Sequence, residues 1–276
     1  MFLTYLFTPA DNARKIEKAF ASEADAVILD LEDGVALSQK EAARRVLRET
    51  VRSLRKDELL RKPFYIRCNQ AGSTYFADDL SLAKDVLPFG VMLPKFESSK
   101  EVEAVAQVLG EVEILPLIES VAGIRHLQQS TSLPPQVKRF AFGAVDYALD
   151  LGADWSTSGE ERRFAMGQLV FLSRALQLES PIDAVFPVLD NPVAFDADVK
   201  LGKQMGFYGK MIIHPAQIAG VCRAYQVTDA EYSWAQRVVE KYESTTEIGA
   251  FELEGKMVDL PVYLKAKKVL GLRLPR

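Results

Sequence analysis

Eight times along this chain a short apolar run rich in β-branched or aromatic residues gives way to a longer stretch of helical period, and that alternation restricts the fold to repeated βαβ units. The strand-like runs are Leu3 to Thr8, Ala26 to Asp30, Phe64 to Cys68, Gly90 to Leu93, Glu113 to Ile118, Arg139 to Gly143, Ile182 to Phe186 and Tyr208 to Ile213. The helical stretches between them are Asn12 to Ser22, Ser38 to Leu54, Phe76 to Lys84, Ser99 to Gly110, Gly123 to Gln128, Glu160 to Leu176, Pro192 to Met205 and Pro215 to Ala224. Ser38 opens a Ser-x-x-Glu capping box with Glu41, and Ser98 and Ser99 precede Glu101. Eight such pairs predict a (β/α)8 TIM barrel, and 276 residues suit one. A doubly wound sheet would carry a glycine-rich turn after the first strand, where Thr8-Pro9-Ala10-Asp11 stands instead. After residue 225 the alternation stops. A long helix, Thr228 to Glu243, leads to a glycine-containing stretch and a last helix from about Pro261, so a barrel domain over 1–225 and a C-terminal helical extension over 226–276 are expected.

Charge and cysteine content narrow the partners. The net charge is −4 with no Lys/Arg block, which leaves a nucleic-acid surface without an electrostatic footprint. Cys68 and Cys222 sit in no Cys-x-x-Cys or Cys/His cluster, which argues against a disulfide framework or a zinc site and for a cytoplasmic setting. Met1-Phe2-Leu3-Thr4-Tyr5 runs into a strand with no basic leader, and no apolar run approaches the ~18 residues of a membrane span, so neither export nor a membrane is expected.

Active sites of such barrels form at the C-terminal ends of the strands, and here charge concentrates there. Strand two ends in Asp30-Leu31-Glu32-Asp33, strand three in Arg67-Cys68-Asn69, strand four in Pro94-Lys95; Glu119, Asp146, Asp190 and His214 follow later strands. Glu119 and Asp146 would hold a hard cation such as Mg2+ through oxygen and leave positions open for water and substrate. The alternative is that Glu119 caps the next helix and Asp146 is a surface turn residue. Arg67 would clamp the carboxylate of a 2-oxo-acid bidentately, or else form an internal salt bridge to Glu32 or Asp33. Lys95 suits a Schiff base or a pairing with a neighbouring carboxylate. His126 reads as structural, and His214 as a substrate contact or its support. Gly-x-Ser-x-Gly, Gly-x-x-x-x-Gly-Lys and His-Glu-x-x-His are all missing from the sequence, which disfavours serine hydrolases, P-loop enzymes and zincins.

Several segments in order carry a family resemblance over essentially the whole chain: Phe7-Thr8-Pro9, Asp30-Leu31-Glu32-Asp33-Gly34-Val35, Ile66-Arg67-Cys68-Asn69, Met92-Leu93-Pro94-Lys95, Ile118-Glu119-Ser120, Phe142-Gly143-Ala144-Val145-Asp146, and Gly206-Phe207-Tyr208-Gly209-Lys210 leading to Ile213-His214-Pro215-Ala216-Gln217-Ile218. The chain resembles the citrate lyase β-subunit family of the HpcH/HpaI aldolase superfamily, β-hydroxyacyl-CoA lyases included. The resemblance implies a Mg2+-dependent carbon–carbon lyase acting on a CoA thioester such as citramalyl-, malyl- or citryl-CoA, releasing acetyl-CoA and a 2-oxo-acid, in a homotrimer or hexamer. It assigns the metal to Glu119 and Asp146 and the oxo-acid to Arg67. Phe7, Arg14, Lys18, Ile213 and His214 would lie near CoA, with Glu32 and Asp33 close to the metal's water shell. Asp259, in Gly255-Lys256-Met257-Val258-Asp259-Leu260-Pro261, would act across a subunit boundary as the acid/base, although its position before Pro261 reads on physical grounds as a helix N-cap. Leu3-Thr4 and Ala10 depart from the family's opening Arg-Ser and Gly. Two other readings stand beside the lyase: an aldolase on free 2-oxo-acids and aldehydes, which would want a histidine base near the second strand, and a non-catalytic citrate lyase-like subunit.

Overall fold

The computed structural model describes residues 2–57, 59–244 and 249–272, which divide into two compact units between Ala224 and Tyr225. The first unit begins β1 (Thr4–Pro9), α1 (Ala13–Ala21), β2 (Ala26–Asp30), a 3-10 turn (Leu37–Gln39) running into α2 (Lys40–Lys56), β3 (Phe64–Arg67), α3 (Phe76–Val86), β4 (Gly90–Leu93) and α4 (Ser99–Leu109). It continues β5 (Glu113–Ile118), α5 (Val121–Gln129), β6 (Ala141–Phe142), α6 (Ala144–Leu151), α7 (Arg163–Ala175), α8 (Pro192–Met205), β7 (Lys210–Ile212) and α9 (Ile218–Tyr225). The seven strands form one parallel sheet in the order β6-β5-β4-β3-β2-β1-β7. Beyond its two edges, Ile182 bridges Ala141 of β6 and Asp183 bridges Lys210 of β7.

The expected strand Ile182 to Phe186 is therefore reduced to two isolated bridges. Asp183 bends its carboxylate onto the amide of Ala184, 2.8 Å away, which ends the extended run. The expected strand Arg139 to Gly143 shrinks to Ala141 and Phe142, and α6, a helix the alternation did not predict, begins directly after it at Ala144. The Ser38 capping box does not form. Ala36 precedes a 3-10 turn and no side chain caps α2, whereas Ser98 does cap α4 by accepting from the Lys100 amide at 3.3 Å. Asn191 caps α8 in the same way, with Pro192 at the first position and Gly206 in the left-handed region (φ 105°) at its end.

Period-two alternation sorts each strand into a face toward the helices and a face toward the sheet's own interior. Tyr5, Ala26, Ile28, Tyr65, Met92, Leu115, Leu117, Ala141, Ile182 and Met211 form one buried cluster on that inner face. The larger aliphatic side chains among them each contribute roughly 1.5–3 kcal/mol through burial. Two residues beyond these apolar positions, on the same face, come Asp30, Arg67, Glu119, Gly143 and Ile213.

The second unit comprises α10 (Asp229–Ser244), the antiparallel hairpin β8 (Phe251–Leu253) and β9 (Lys256–Val258), and α11 (Leu260–Leu272). Glu254 (φ 53°) and Gly255 (φ 75°) make the two-residue turn, both in the left-handed region that such hairpins demand. Ala235, Val238, Val258 and Ala266 form its small core, and Tyr242 stacks on Tyr263 with centroids 4.1 Å apart.

Candidate active site

Strand register sets the first pair of the site. Asp30, the last residue of β2, lies directly opposite Arg67, the last of β3. Arg67 Nε and Nη2 donate to the two Asp30 oxygens at 2.8 and 2.7 Å, a side-on bidentate pair, both residues being buried. The same Asp30 oxygens accept from the Glu32 and Gly34 amides, each at 2.8 Å, so one carboxylate folds the Leu31–Gly34 turn and fixes the arginine. Gly34 is required: a Cβ there would lie 2.5 Å from Asp30 Oδ2. Phe7 of β1 stacks under the guanidinium, 4.9 Å from centroid to Cζ. Arg67 Nη1 is 3.1 Å from Glu32 Oε2 and 3.9 Å from Asp33 Oδ2. The internal salt bridge is thus real, and it occupies part of a guanidinium with five N–H groups. Burial works against the Arg67 charge, yet Asp30, Glu32 and Asp33 hold it firmly protonated.

Glu32 has a second cation. Lys95 Nζ donates to Glu32 Oε1 at 2.7 Å, the carboxylate pairing considered above for this lysine. Glu32 Oε2 is in ionic range of Arg67 but out of line for a hydrogen bond, so this buried oxygen has no donor. Burial outweighs both cations and pushes the Glu32 carboxyl up. Lys40, also buried, donates from Nζ to the Leu31 and Glu32 carbonyls at 2.7 Å each. Asn69 closes the other side, donating from Nδ2 to the Leu31 carbonyl at 3.0 Å and to Asp79 at 2.7 Å.

Glu119 follows β5 and is 3% exposed. Its Oε1 accepts from the Lys95 amide at 2.6 Å. Ser120, not Glu119, caps α5, accepting from the Gly123 amide at 3.0 Å. A Cβ at Gly143 would lie 2.4 Å from Glu119 Oε2, so the glycine at the end of β6 makes room for this carboxylate. Burial first, then the charges of Asp146 and Glu32, push the Glu119 carboxyl up to about 8, against the pull of the Lys95 amide and Arg67. Asp146 is in the first turn of α6, half-buried, and is not the surface turn residue considered above. Among the described residues no three His, Cys, Asp or Glu side chains gather closely enough to hold a metal unaided. The donor set is nonetheless of the right kind: hard oxygens, few of them, at strand ends whose anionic charge is incompletely compensated.

The remaining expected residues divide by element. Arg14 and Lys18 are exposed one turn apart on α1, next to β1. Ile213 and His214 are exposed just after β7, which pairs with β1. His214 Nδ1 accepts from the Ala216 amide at 3.1 Å and so caps the turn Pro215–Gln217. His126 is structural: its Nε2 meets the Ser99 amide at 3.1 Å and its ring packs on Phe96. Asp259 caps α11, accepting from the Val262 amide at 3.1 Å, within the second unit. Asp30 stands in the sequence among the charges that end strand two without a role of its own, and Gly143 carries no local signal. An aspartate that closes a strand inside Asp-x-x-x-Gly, opposite an arginine, is the signal that could have found the first.

The pattern of the HpcH/HpaI aldolase/citrate lyase family matches residues 3–215. The chain belongs to that family. A second pattern, a C–C bond lyase of the TIM-barrel fold, matches residues 168–271, so the family's reaction class is carbon–carbon bond cleavage. Within it, the citrate lyase subunit beta-like protein of Deinococcus radiodurans is 35% identical over 96% of this chain and 95% of its own. Human mitochondrial citramalyl-CoA lyase is 28% identical over 97% and 84%. CitE of Mycobacterium tuberculosis, solved with magnesium, acetoacetate and coenzyme A, superposes with a TM-score of 0.83 at 31% identity, covering 98% of this chain and 97% of that one.

Proposed function

We propose that this protein is a Mg2+-dependent carbon–carbon lyase that cleaves or forms a β-hydroxyacyl-CoA thioester of the citramalyl, malyl or citryl type, with acetyl-CoA and a 2-oxo-acid on the other side of the reaction. The observation that carries this reading is Glu119, a buried carboxylate beside Asp146 and Glu32 whose ionised form calls for a cation. We read the parallel sheet and the two bridges at Ile182 and Asp183 as a closed (β/α)8 barrel whose mouth holds the site. Glu119 and Asp146 would hold Mg2+ there. Bound, the ion would supply Lewis acidity toward the oxygen that gains charge as the bond breaks.

The chain's own residues do the rest. Asp30 takes the Nε edge of Arg67, which leaves Nη1 and the outer Nη2 hydrogen for the oxo-acid carboxylate. Phe7 and the turn bonds on Asp30 keep that guanidinium from swinging, so no reorganisation is needed as charge develops. Arg14, Lys18, Ile213 and His214 would line the approach of CoA, with the cationic pair near its phosphates. Asp259 would come from a neighbouring protomer of a homotrimer or hexamer and move the proton at the thioester α-carbon. With one oxygen taken by the Val262 amide, it keeps the other for that task.

The test is turnover of citramalyl-, malyl-, citryl- and 3-hydroxy-3-methylglutaryl-CoA with Mg2+ or EDTA, by wild type and by Asp259→Ala. Metal-dependent release of acetyl-CoA with an oxo-acid, lost in the variant, is the expected outcome. No turnover of any of them in the presence of Mg2+ would reject the assignment.

A further inference from the structure

Lys95 meets two carboxylates with two different parts of itself. Its backbone is left-handed at φ 50°, a conformation that only a few per cent of non-glycine residues adopt and that clusters at functional sites. That geometry aims its amide at Glu119 Oε1, 2.6 Å away, while its ammonium reaches Glu32 Oε1 at 2.7 Å. Glu32, buried with 8% of its side chain exposed, therefore has one oxygen on Lys95 and the other within 3.1 Å of Arg67.

We infer that Lys95 is a positioning residue that keeps Glu32 out of the cation's coordination sphere. It holds the third carboxylate on a fixed ammonium, so that only Glu119 and Asp146 ligate and the remaining positions stay open for the oxo-acid. The inference rests on the metal site proposed above. Its physical basis is competition: a carboxylate near a divalent cation becomes a ligand unless another cation occupies it, and a pocket with three carboxylate ligands binds metal tightly and substrate poorly. Lys95 is suited to this task because its ammonium is a compact charge that cannot take an anion bidentately, and its backbone N–H ties the same residue to Glu119. One residue thereby sets the relation between the two acids.

The test is calorimetric titration of the folded protein with Mg2+ alone, then with pyruvate in the presence of Mg2+. It is run on wild type, Lys95→Met, Lys95→Arg, Glu32→Gln and the Lys95→Met/Glu32→Gln double variant. Lys95→Met should bind Mg2+ on the order of tenfold more tightly, the equivalent of one charged hydrogen bond, and bind pyruvate more weakly. Lys95→Arg, which retains a cation on Glu32, should stay close to wild type. In the Glu32→Gln background the effect of Lys95→Met should vanish, because the residue acts through Glu32. Persistence of the full effect in that background would reduce Lys95 to simple charge repulsion and overturn the inference, as would an unchanged Mg2+ affinity in Lys95→Met. Failure of the metal site is distinguishable. Wild type and Glu119→Gln would then give the same null titration, and the inference would go with it.

Discussion

Two groups of largely buried charge lie on opposite faces of the same sheet. On the outward face of β7, Lys210 Nζ sits 2.6 Å from Asp183 and 2.7 Å from Asp198 of α8, and Arg162 lies 2.5 Å from Asp198 and 2.7 Å from Glu161. Three carboxylates share two cations whose every contact is short, and all four charged residues other than Glu161 are nearly inaccessible. On the inward face, at the strand ends, five carboxylates (Asp30, Glu32, Asp33, Glu119, Asp146) meet Arg67, Lys95 and Lys40, and Lys40 spends its ammonium on carbonyls. One group closes its hydrogen bonds; the other leaves Glu32 Oε2 without a donor and Glu119 pushed up to about 8. Both are costly to bury, and the difference is what completes them. The outer cluster is completed by the chain, and the inner one has room for the cation proposed above.

The largest effect should come from breaking the outer cluster. Lys210→Met leaves Asp183 and Asp198 buried without their shared cation, which costs about 3–5 kcal/mol and lowers the melting temperature by on the order of 10 °C. Mg2+ binding by the protein that remains folded should not change. Thermal melts beside metal titration check this, and a stable variant that loses metal would reverse the assignment of the two groups.

Next comes the inner group, where removing a charge should have the opposite sign. Between its ordinary 4.5 and about 8, the Glu119 carboxyl keeps a proton in the folded metal-free protein that the unfolded chain has already released. Stability therefore falls as pH rises through that window and levels off above it. Glu119→Gln should flatten the decline, by up to a few kcal/mol at pH 8, and should abolish stabilisation by Mg2+. Melts from pH 5 to pH 9 with and without Mg2+ measure both. A decline equally steep in the variant would assign it to another group.

The smallest and sharpest pair is Gly143→Ala against Gly202→Ala. An added Cβ meets Glu119 Oε2 at 2.4 Å in the first and Asp183 Oδ2 at 2.5 Å in the second. Each should cost about 1–3 kcal/mol by overpacking, yet the first alone should weaken Mg2+ binding. Equal metal affinity in the two variants would break the comparison.

The sequence made the inner group easier to anticipate than the outer one. Apolar runs bounded by turn residues placed seven strands to within a few residues, and their C-terminal ends pointed to Arg67, Glu32, Lys95, Glu119 and Asp146. Three features escaped for physical reasons. Ile182 to Phe186 has strand composition, but Asp183 ends its run by capping its own neighbour. Ala144–Leu151 is too short and apolar for periodicity to separate from a continuing strand. The hairpin in the second unit hides in Glu254-Gly255, although alternation on either side of a glycine is a hairpin signal. Lys210, Asp183 and Asp198 come together only through the packing of α8 on the sheet, which no local pattern records.

The unequal charge at the strand ends also has a kinetic consequence. The oxo-acid and acyl-CoA proposed as ligands are themselves anions, and strand ends where carboxylates outnumber cations even with Glu119 protonated repel them on approach. A divalent ion cancels that excess when it enters. Ligands should then add in a compulsory order, cation before acid, and leave in the reverse order, with the acid's arrival rate climbing as metal is supplied.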